Sequence, residues 1–291
     1  MHGRFTTLHA WLLALPAMVL LVLFTHYPIV VTLFDSFMST PKKHRPSHFV
    51  GLDNYAAMAG DPVFWKALTN NLIYAGATIP ISIALALLMA LIVNGRIPGR
   101  PLMRMAFFTP TVLPMVAVAN IWLFFFNPNY GAIDQLLQLV GLTAPNFLGQ
   151  QQTALWCVIV VAIWKEAGFF MIFYLAALQT IPPDLVEAAA IEGAGRWQIL
   201  RRVVLPLLMP TTLFVLINAV INAFRTVDHI FVLTGGGPDN ATNVLLYQIY
   251  LVGFSFWDQG YAAALTMVLL AGLGAAALLQ FFFLDRRVHY R

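Results

Sequence analysis

Apolar residues run along this chain in long uninterrupted blocks, without the three-and-four rhythm of a surface helix. Six blocks reach the roughly 20 residues that a helix needs to cross a bilayer. They cover roughly 10–34, 67–93, 105–126, 153–180, 206–225 and 261–284, and each predicts a membrane-spanning helix. Pro16, Pro28, Pro80, Pro110, Pro114 and Pro210 fall inside them. Such prolines are expected to kink helices whose freed carbonyls are satisfied by neighbours. The expected fold is all-α, one polytopic membrane domain over 1–291. Its outer loops 35–66, 127–152 and 226–260, rich in Gly, Pro, Asn and aromatics, should form compact caps.

Composition agrees. The 291 residues are 60% hydrophobic and 10% charged, against about 45–50% and about 25% in a soluble domain. Mean hydropathy is +0.79, and the excess sits in runs, which excludes a large soluble core. A net charge of +4 would suggest nucleic acid in a soluble protein; here loop arginines explain it better. Arg4, Arg96, Arg100, Arg104, Arg196, Arg201, Arg202, Arg286, Arg287 and Arg291 fall on one side. Lys42, Lys43, Arg45, Lys66 and Arg225 fall on the other, and Lys165 lies within the fourth block. The more basic side is expected to be cytoplasmic, with both termini. The first block reads as a span rather than a cleaved leader. Cys157, the one cysteine, sits in an apolar run and reads as a small hydrophobe.

Between the fourth and fifth blocks, 181–206 stands apart as a charged, glycine-broken stretch on the basic side. It opens "IPPDL": prolines suit a helix start, and Asp184 in the first turn complements the dipole. Leu185, Ala188, Ala189 and Glu192 share one narrow face, and the helix is expected to stop at Gly193 or Gly195. A second helix, "RWQILRRVVLP", should follow outside the bilayer. Two readings stand: an interfacial connector, or a docking knob whose alanines 188, 189, 190 and 194 admit another surface while Glu187 pairs with a basic partner.

Glu187-Ala188-Ala189, Gly193 after three intervening positions, and Val203-Val204-Leu205-Pro206 after nine more fit the pattern EAA-x3-G-x9-I-x-LP, with valine for the common isoleucine at 203. This resembles the signature of permease subunits of bacterial binding-protein-dependent ABC importers. "FVGLDNY" (49–55), "NPNYGAID" (127–134), "LQTIPPDLVEAAAIEGAG" (178–195) and "TGGGPDNAT" (234–242) are similar to the carbohydrate-uptake branch, which includes sugar permeases and the A-type permeases of sn-glycerol-3-phosphate importers. The resemblance implies the type I importer permease fold, with 181–206 as the coupling loop. Glu187, Ala188, Ala189, Gly193, Ala194 and Gly195 would then contact a separate ATPase that carries ATP and Mg. It also implies a second homologous permease, two ATPase copies, and a periplasmic or lipid-anchored solute-binding protein meeting Gly235, Gly236, Gly237 and Pro238. The expected location is the bacterial inner membrane.

No P-loop is present, since none of Lys42, Lys43, Lys66 and Lys165 follows a glycine. The histidines at 2, 9, 26, 44, 48, 229 and 289 are scattered, and His44 with His48 reads as solvated rather than zinc-binding. An enzyme working alone is excluded, with no catalytic set, no metal site and no cofactor held by this chain. Lys165 and Glu166 are ionisable groups in mid-span, which cost about 2.5–3.5 kcal/mol each to insert. They point about 100° apart on a helix, and read either as structural ion pairs or as solute contacts. The resemblance implies a pathway through Lys165, Glu166 and Phe169 with Asn222, Arg225 and Thr226, and Thr111 between Pro110 and Pro114 as an addition. Trp164 and Phe169 could stack on a sugar, though packing is the commoner role for such aromatics. Lys165 and Arg225 could suit a phosphate or sulfonate, so the solute class spans sugars, polyols and their anionic derivatives. The alternatives are an ion-gradient-driven secondary transporter, which needs no such loop and often shows inverted repeats, and a membrane scaffold without a pathway.

Overall fold

A computed structural model describes residues 2–41, 45–95, 98–143 and 145–284. Lys42, Lys43, Arg96, Arg286, Arg287 and Arg291 of the charge count, with His44 and His289, lie outside the described residues. In chain order the helices are α1 (His9–Asp35), α2 (Asp53–Gly60), α3 (Pro62–Asn94), α4 (Arg100–Val112), α5 (Met115–Phe125), α6 (Ala132–Leu139), α7 (Gln151–Thr180), α8 (Pro183–Ile191), α9 (Arg196–Ile199), α10 (Met209–Phe224), α11 (Asp228–Leu233), α12 (Leu245–Tyr250) and α13 (Gln259–Leu284). Among the described residues five stretches are long and apolar enough to cross a membrane: α1, α3, α7, α10 with α11 (Met209–Leu233), and α13.

The third block departs from the expected single helix. It is two helices, α4 and α5, bent by 104° at their junction. The sequence supplies the cause. Pro114 has no N–H to return to the carbonyl of Pro110, and a residue before proline is pushed out of the α region. Leu113 is accordingly extended (φ −74°, ψ 138°), and Pro114 begins α5 by accepting from the Val118 N–H at 3.1 Å. The fifth block differs in its ends: the apolar stretch runs to Leu233, and α11 and α12 occupy much of the expected 226–260 loop.

Two other prolines are absorbed by widening a turn. Val22–His26 and Leu200–Val204 are π turns, closed by Tyr27 N–H on the Val22 carbonyl and Leu205 N–H on the Leu200 carbonyl. Each sits just before a proline, Pro28 or Pro206, where the regular ladder loses a donor. The expected second coupling-loop helix therefore runs from Arg196 through a π turn into Leu207.

The chain packs as two units. In the first (Met1–Asp61 with Ile249–Ala271), the "GLDNY" stretch closes the 36–40 turn. Asn54 donates to the carbonyls of Ser36 (2.9 Å) and Met38 (3.0 Å), and the Tyr55 hydroxyl donates to Ser36 Oγ at 2.8 Å. Tyr261 donates to Asp61 at 2.7 Å, and Thr40 donates to Asp258.

The second unit (Pro62–Gln248 with Gly272–Arg291) is organised on α3 lying along α7. Buried positions on α3 recur at helical spacing: Ala67, Asn71, Tyr74, Ala75, Thr78, Ser82, Ala86, Met89, Ala90 and Val93. They meet Ala154, Val158, Val161, Ala162, Ala167, Gly168, Met171 and Tyr174 among the buried residues of α7. The many small residues let the backbones approach closely, which is how helices gain packing energy where no hydrophobic force separates protein from lipid. Thr78 and Ser82 donate to the carbonyls of Tyr74 and Thr78 on their own helix, so neither hydroxyl is left unsatisfied. Leu208, Val215 and Ala219 complete this core, and Tyr174 donates to Thr212 of α10 at 3.2 Å.

The tightest crossing is α4 on α7 at Gly168. A Cβ there would lie 2.2 Å from the Phe107 carbonyl oxygen. Gly168→Val should therefore lower stability by about 1–3 kcal/mol through overpacking. Gly76→Ala, at a position with open space, should stay within about 0.5 kcal/mol of the parent. Thermal unfolding of the purified protein in detergent compares the two.

Candidate functional site

Six helices of the second unit, α3, α4, α5, α7, α10 and α11, border a cavity of about 490 Å³. Its lining includes all seven residues expected on the pathway: Thr111 at the end of α4, Lys165, Glu166 and Phe169 on α7, and Asn222, Arg225 and Thr226 at the end of α10. Asn222, Arg225 and Thr226 share one helical end because α10 stops there, with Arg225 N–H on the Ile221 carbonyl at 3.1 Å. Glu166 is half-buried and Arg225 exposed; among the described residues no hydrogen bond or ion pair engages either side chain.

Lys165 is placed differently. Its ammonium donates to the carbonyls of Pro110 (3.1 Å), Thr111 (3.4 Å) and Leu113, all at the broken end of α4. Phe169 borders the cavity while packing edge-on to Phe173 at 5.2 Å. Trp164 does not line it; it packs against Trp122 of α5 at 5.7 Å, the commoner of the two roles for such an aromatic.

Sequence reasoning missed the opposite wall, built from Tyr74 of α3 with Asp228 and His229 of α11. Tyr74 and His229 are buried, and their polar atoms meet at 3.4 Å. The Thr226 hydroxyl lies within reach of both the Tyr74 hydroxyl (3.2 Å) and the Asn222 carbonyl (3.1 Å). Below them Asn71 donates to the Ala223 carbonyl at 3.3 Å, and Asn70 to those of Asn240 (2.8 Å) and Asn243 (2.9 Å). The available signal was Asn70, Asn71 and Tyr74, three polar groups at i, i+1 and i+4 in an apolar helix.

Away from the cavity, α8 has no buried residue. It ends in a Schellman turn: Gly193 N–H bonds the Ala190 carbonyl and Ala194 N–H the Ala189 carbonyl, both at 3.0 Å. Gly193 takes φ +85°, with open space where a Cβ would go, so backbone conformation alone calls for glycine. Gly195, the other expected stop, is extended and instead caps α9, its N–H donating to Gln198 at 2.9 Å. Glu187 and Ala188 are exposed, Ala189 and Ala194 half-buried.

The "TGGGPDNAT" loop is tightly bonded. Thr234 and Thr242 hydroxyls meet at 2.7 Å, and Thr242 donates to the Gly237 carbonyl at 2.8 Å. Gly236 (φ +82°) lies under the Tyr247 ring, where a Cβ would come within 2.7 Å of Cε1. Gly235 is exposed, while Gly237 and Pro238 line a second cavity of about 480 Å³ with Asn127 and Asn146.

Residues 57–290 match the family model for the inner membrane component of binding-protein-dependent transport systems. The chain belongs to this family. The permease is 34% identical over 96% of its length to the sn-glycerol-3-phosphate transport system permease protein UgpA of Agrobacterium fabrum, and covers 96% of it. It is also 34% identical to the sulfoquinovosyl glycerol transport system permease protein SmoG of the same organism, over 90% of this chain and 85% of that one. A chain of a bacterial alginate ABC transporter, solved with an alginate pentasaccharide-bound periplasmic protein, superposes with a TM-score of 0.85. That match covers 97% of the permease and 95% of the alginate chain at 26% identity. The fold is thus that of a type I importer permease, a multi-pass membrane protein and a transport subunit.

A cavity open to water should be readable by thiol chemistry. In a Cys157→Ala background, Asn222→Cys and Glu166→Cys should react with a polar maleimide about tenfold or more faster than Phe170→Cys in the core, since access governs thiol rates. Mass spectrometry of the labelled permease measures the ratio.

Proposed function

We propose that the permease forms half of the translocation pathway of an ATP-driven importer for a carbohydrate-type solute, a sugar, polyol or anionic derivative, in a bacterial inner membrane. The convergence of seven polar and aromatic residues on one cavity, in a chain that displays α8 outside its own core, carries this reading. Asn222, Thr226, Thr111 and Glu166 offer donors and acceptors to hydroxyl groups, and Phe169 offers an apolar face. The relatives named for sn-glycerol-3-phosphate and sulfoquinovosyl glycerol, and the alginate transporter, support the solute class.

The assembly we infer contains a second homologous permease, two ATPase subunits that hold ATP and Mg, and a periplasmic or lipid-anchored solute-binding protein. Glu187, Ala188, Ala189, Gly193, Ala194 and Gly195 are its contacts with the ATPase. The alanines permit close seating, and Glu187 meets a basic side chain. Closure of the two ATPases on ATP displaces α8, and the two-residue link Ile181–Pro182 passes that displacement to α7 and the cavity wall. Gly235, Gly236, Gly237 and Pro238 present the outer loop to the binding protein.

Reconstitution with the partner subunits tests this. Gly193→Pro removes both the left-handed conformation and the N–H bonded to Ala190, and Glu187→Arg reverses the charge at the contact. Each should lower ATP-dependent uptake by about tenfold or more and abolish stimulation of hydrolysis by loaded binding protein. Uptake and hydrolysis at parental rates in both variants would overturn the assignment of α8. In the cavity, Thr226→Val and Glu166→Gln should each cut uptake by about tenfold while ATP is still hydrolysed.

A further inference from the structure

Lys165 borders the cavity, yet its geometry points away from solute recognition. An ammonium group has three protons, and three carbonyl oxygens, those of Pro110, Thr111 and Leu113, lie within hydrogen-bond reach of it. Two belong to the last turn of α4, where carbonyls have no helical donor. The third belongs to the extended residue that makes the bend. The Pro110 carbonyl is the one that Pro114 cannot satisfy. A cation also complements the negative end of a helix dipole.

One turn further along the same face of α7, Gly168 receives the Phe107 carbonyl in close approach, and a Cβ there would lie 3.2 Å from the Thr111 hydroxyl. That hydroxyl is buried without a hydrogen-bond partner, and Thr111 is on the cavity wall. Lys165 and Gly168 therefore clasp α4 at two points, and Thr111 lies between them at the cavity wall.

We propose that Lys165 is a positioning residue: its ammonium replaces the helical donors lost at the α4–α5 break, fixes the bend, and so holds Thr111 at the cavity wall. The cation left free to meet a charged solute is then Arg225. The fixing of the bend stands whatever passes through the protein. The role of Thr111 rests on the reading of the cavity as part of the pathway.

The test uses the full-length permease assembled with its partner subunits, in a Cys157→Ala background. Nitroxides at Met105→Cys and Ile121→Cys, both exposed, report the distance across the bend by pulsed electron resonance. Lys165→Met should broaden the distance distribution about twofold or more, whereas Lys165→Arg, which keeps a cation and several donors, should restore a narrow one. In parallel, the maleimide labelling rate of Thr111→Cys should change about fivefold or more in Lys165→Met and stay near the parent in Lys165→Arg. If Lys165→Met fails to assemble, Lys165→Gln, with two donors for three carbonyls, is read against Lys165→Arg in the same way. A parental distance distribution in the uncharged variant would overturn the proposal, as would equal broadening in the arginine variant. Neither measurement requires a solute, so either can fail while the transport reading stands.

Discussion

A carbonyl that loses its helical donor inside hydrocarbon has no water to turn to, and this permease is shaped by the places where that happens. Prolines create the vacancies. Where a proline follows a helix that can widen, at Pro28 and Pro206, a π turn absorbs the mismatch and the axis continues. At Pro114 the extended Leu113 prevents that, and the chain turns by 104°. The exposed carbonyls are then met by a side chain from another helix. One residue type thus gives a continuous span in one place and a broken one in another, according to what stands nearby to donate.

The same demand explains why each of the polar residues buried in the second unit makes at least one hydrogen bond. Asn70, Asn71 and Tyr74 on α3 reach across to the backbone and side chains of 222–243 and hold the end of α10 against the cavity. Thr78 and Ser82 satisfy themselves on their own helix. The seam between α3 and α7 can then be small-residue packing along most of its length. The cavity opens where that packing gives way to the end of α10 and the broken α4–α5 pair.

Much of this was legible in the sequence because long apolar runs and glycine-bounded charged stretches are local signals. The spans, the helix starting at "IPPDL" and the turn at Gly193 all follow from short-range chemistry. Lys165 and Glu166 stood out as ionisable groups in mid-span, the family resemblance set the other five pathway candidates beside them, and all seven line one cavity. What stayed hidden depends on contacts distant in sequence. Pro110 and Pro114 read as kinks because nothing local says whether a donor or a bend will resolve them. Lys165 read as evenly divided between structure and pathway because its partners lie more than fifty positions away. His229 looked like one scattered histidine until Tyr74, 155 positions earlier, was found beside it. The outer loop 226–260 read as a compact cap, but nothing local showed that Tyr247 closes over Gly236 to fix it.

The shortness of the link between α7 and α8 has a mechanical consequence. Only Ile181 and Pro182 separate the two helices, and proline removes one of the few rotations such a link could use. From Thr180 to Lys165 is about 22 Å along a helix rising 1.5 Å per residue. A tilt of the rod by about 5° about one end shifts the other by about 2 Å over that length. That shift is comparable to the difference between a hydrogen bond made and one broken. A tilt about the α8 end would therefore be felt at the cavity wall without any large rearrangement within the helix.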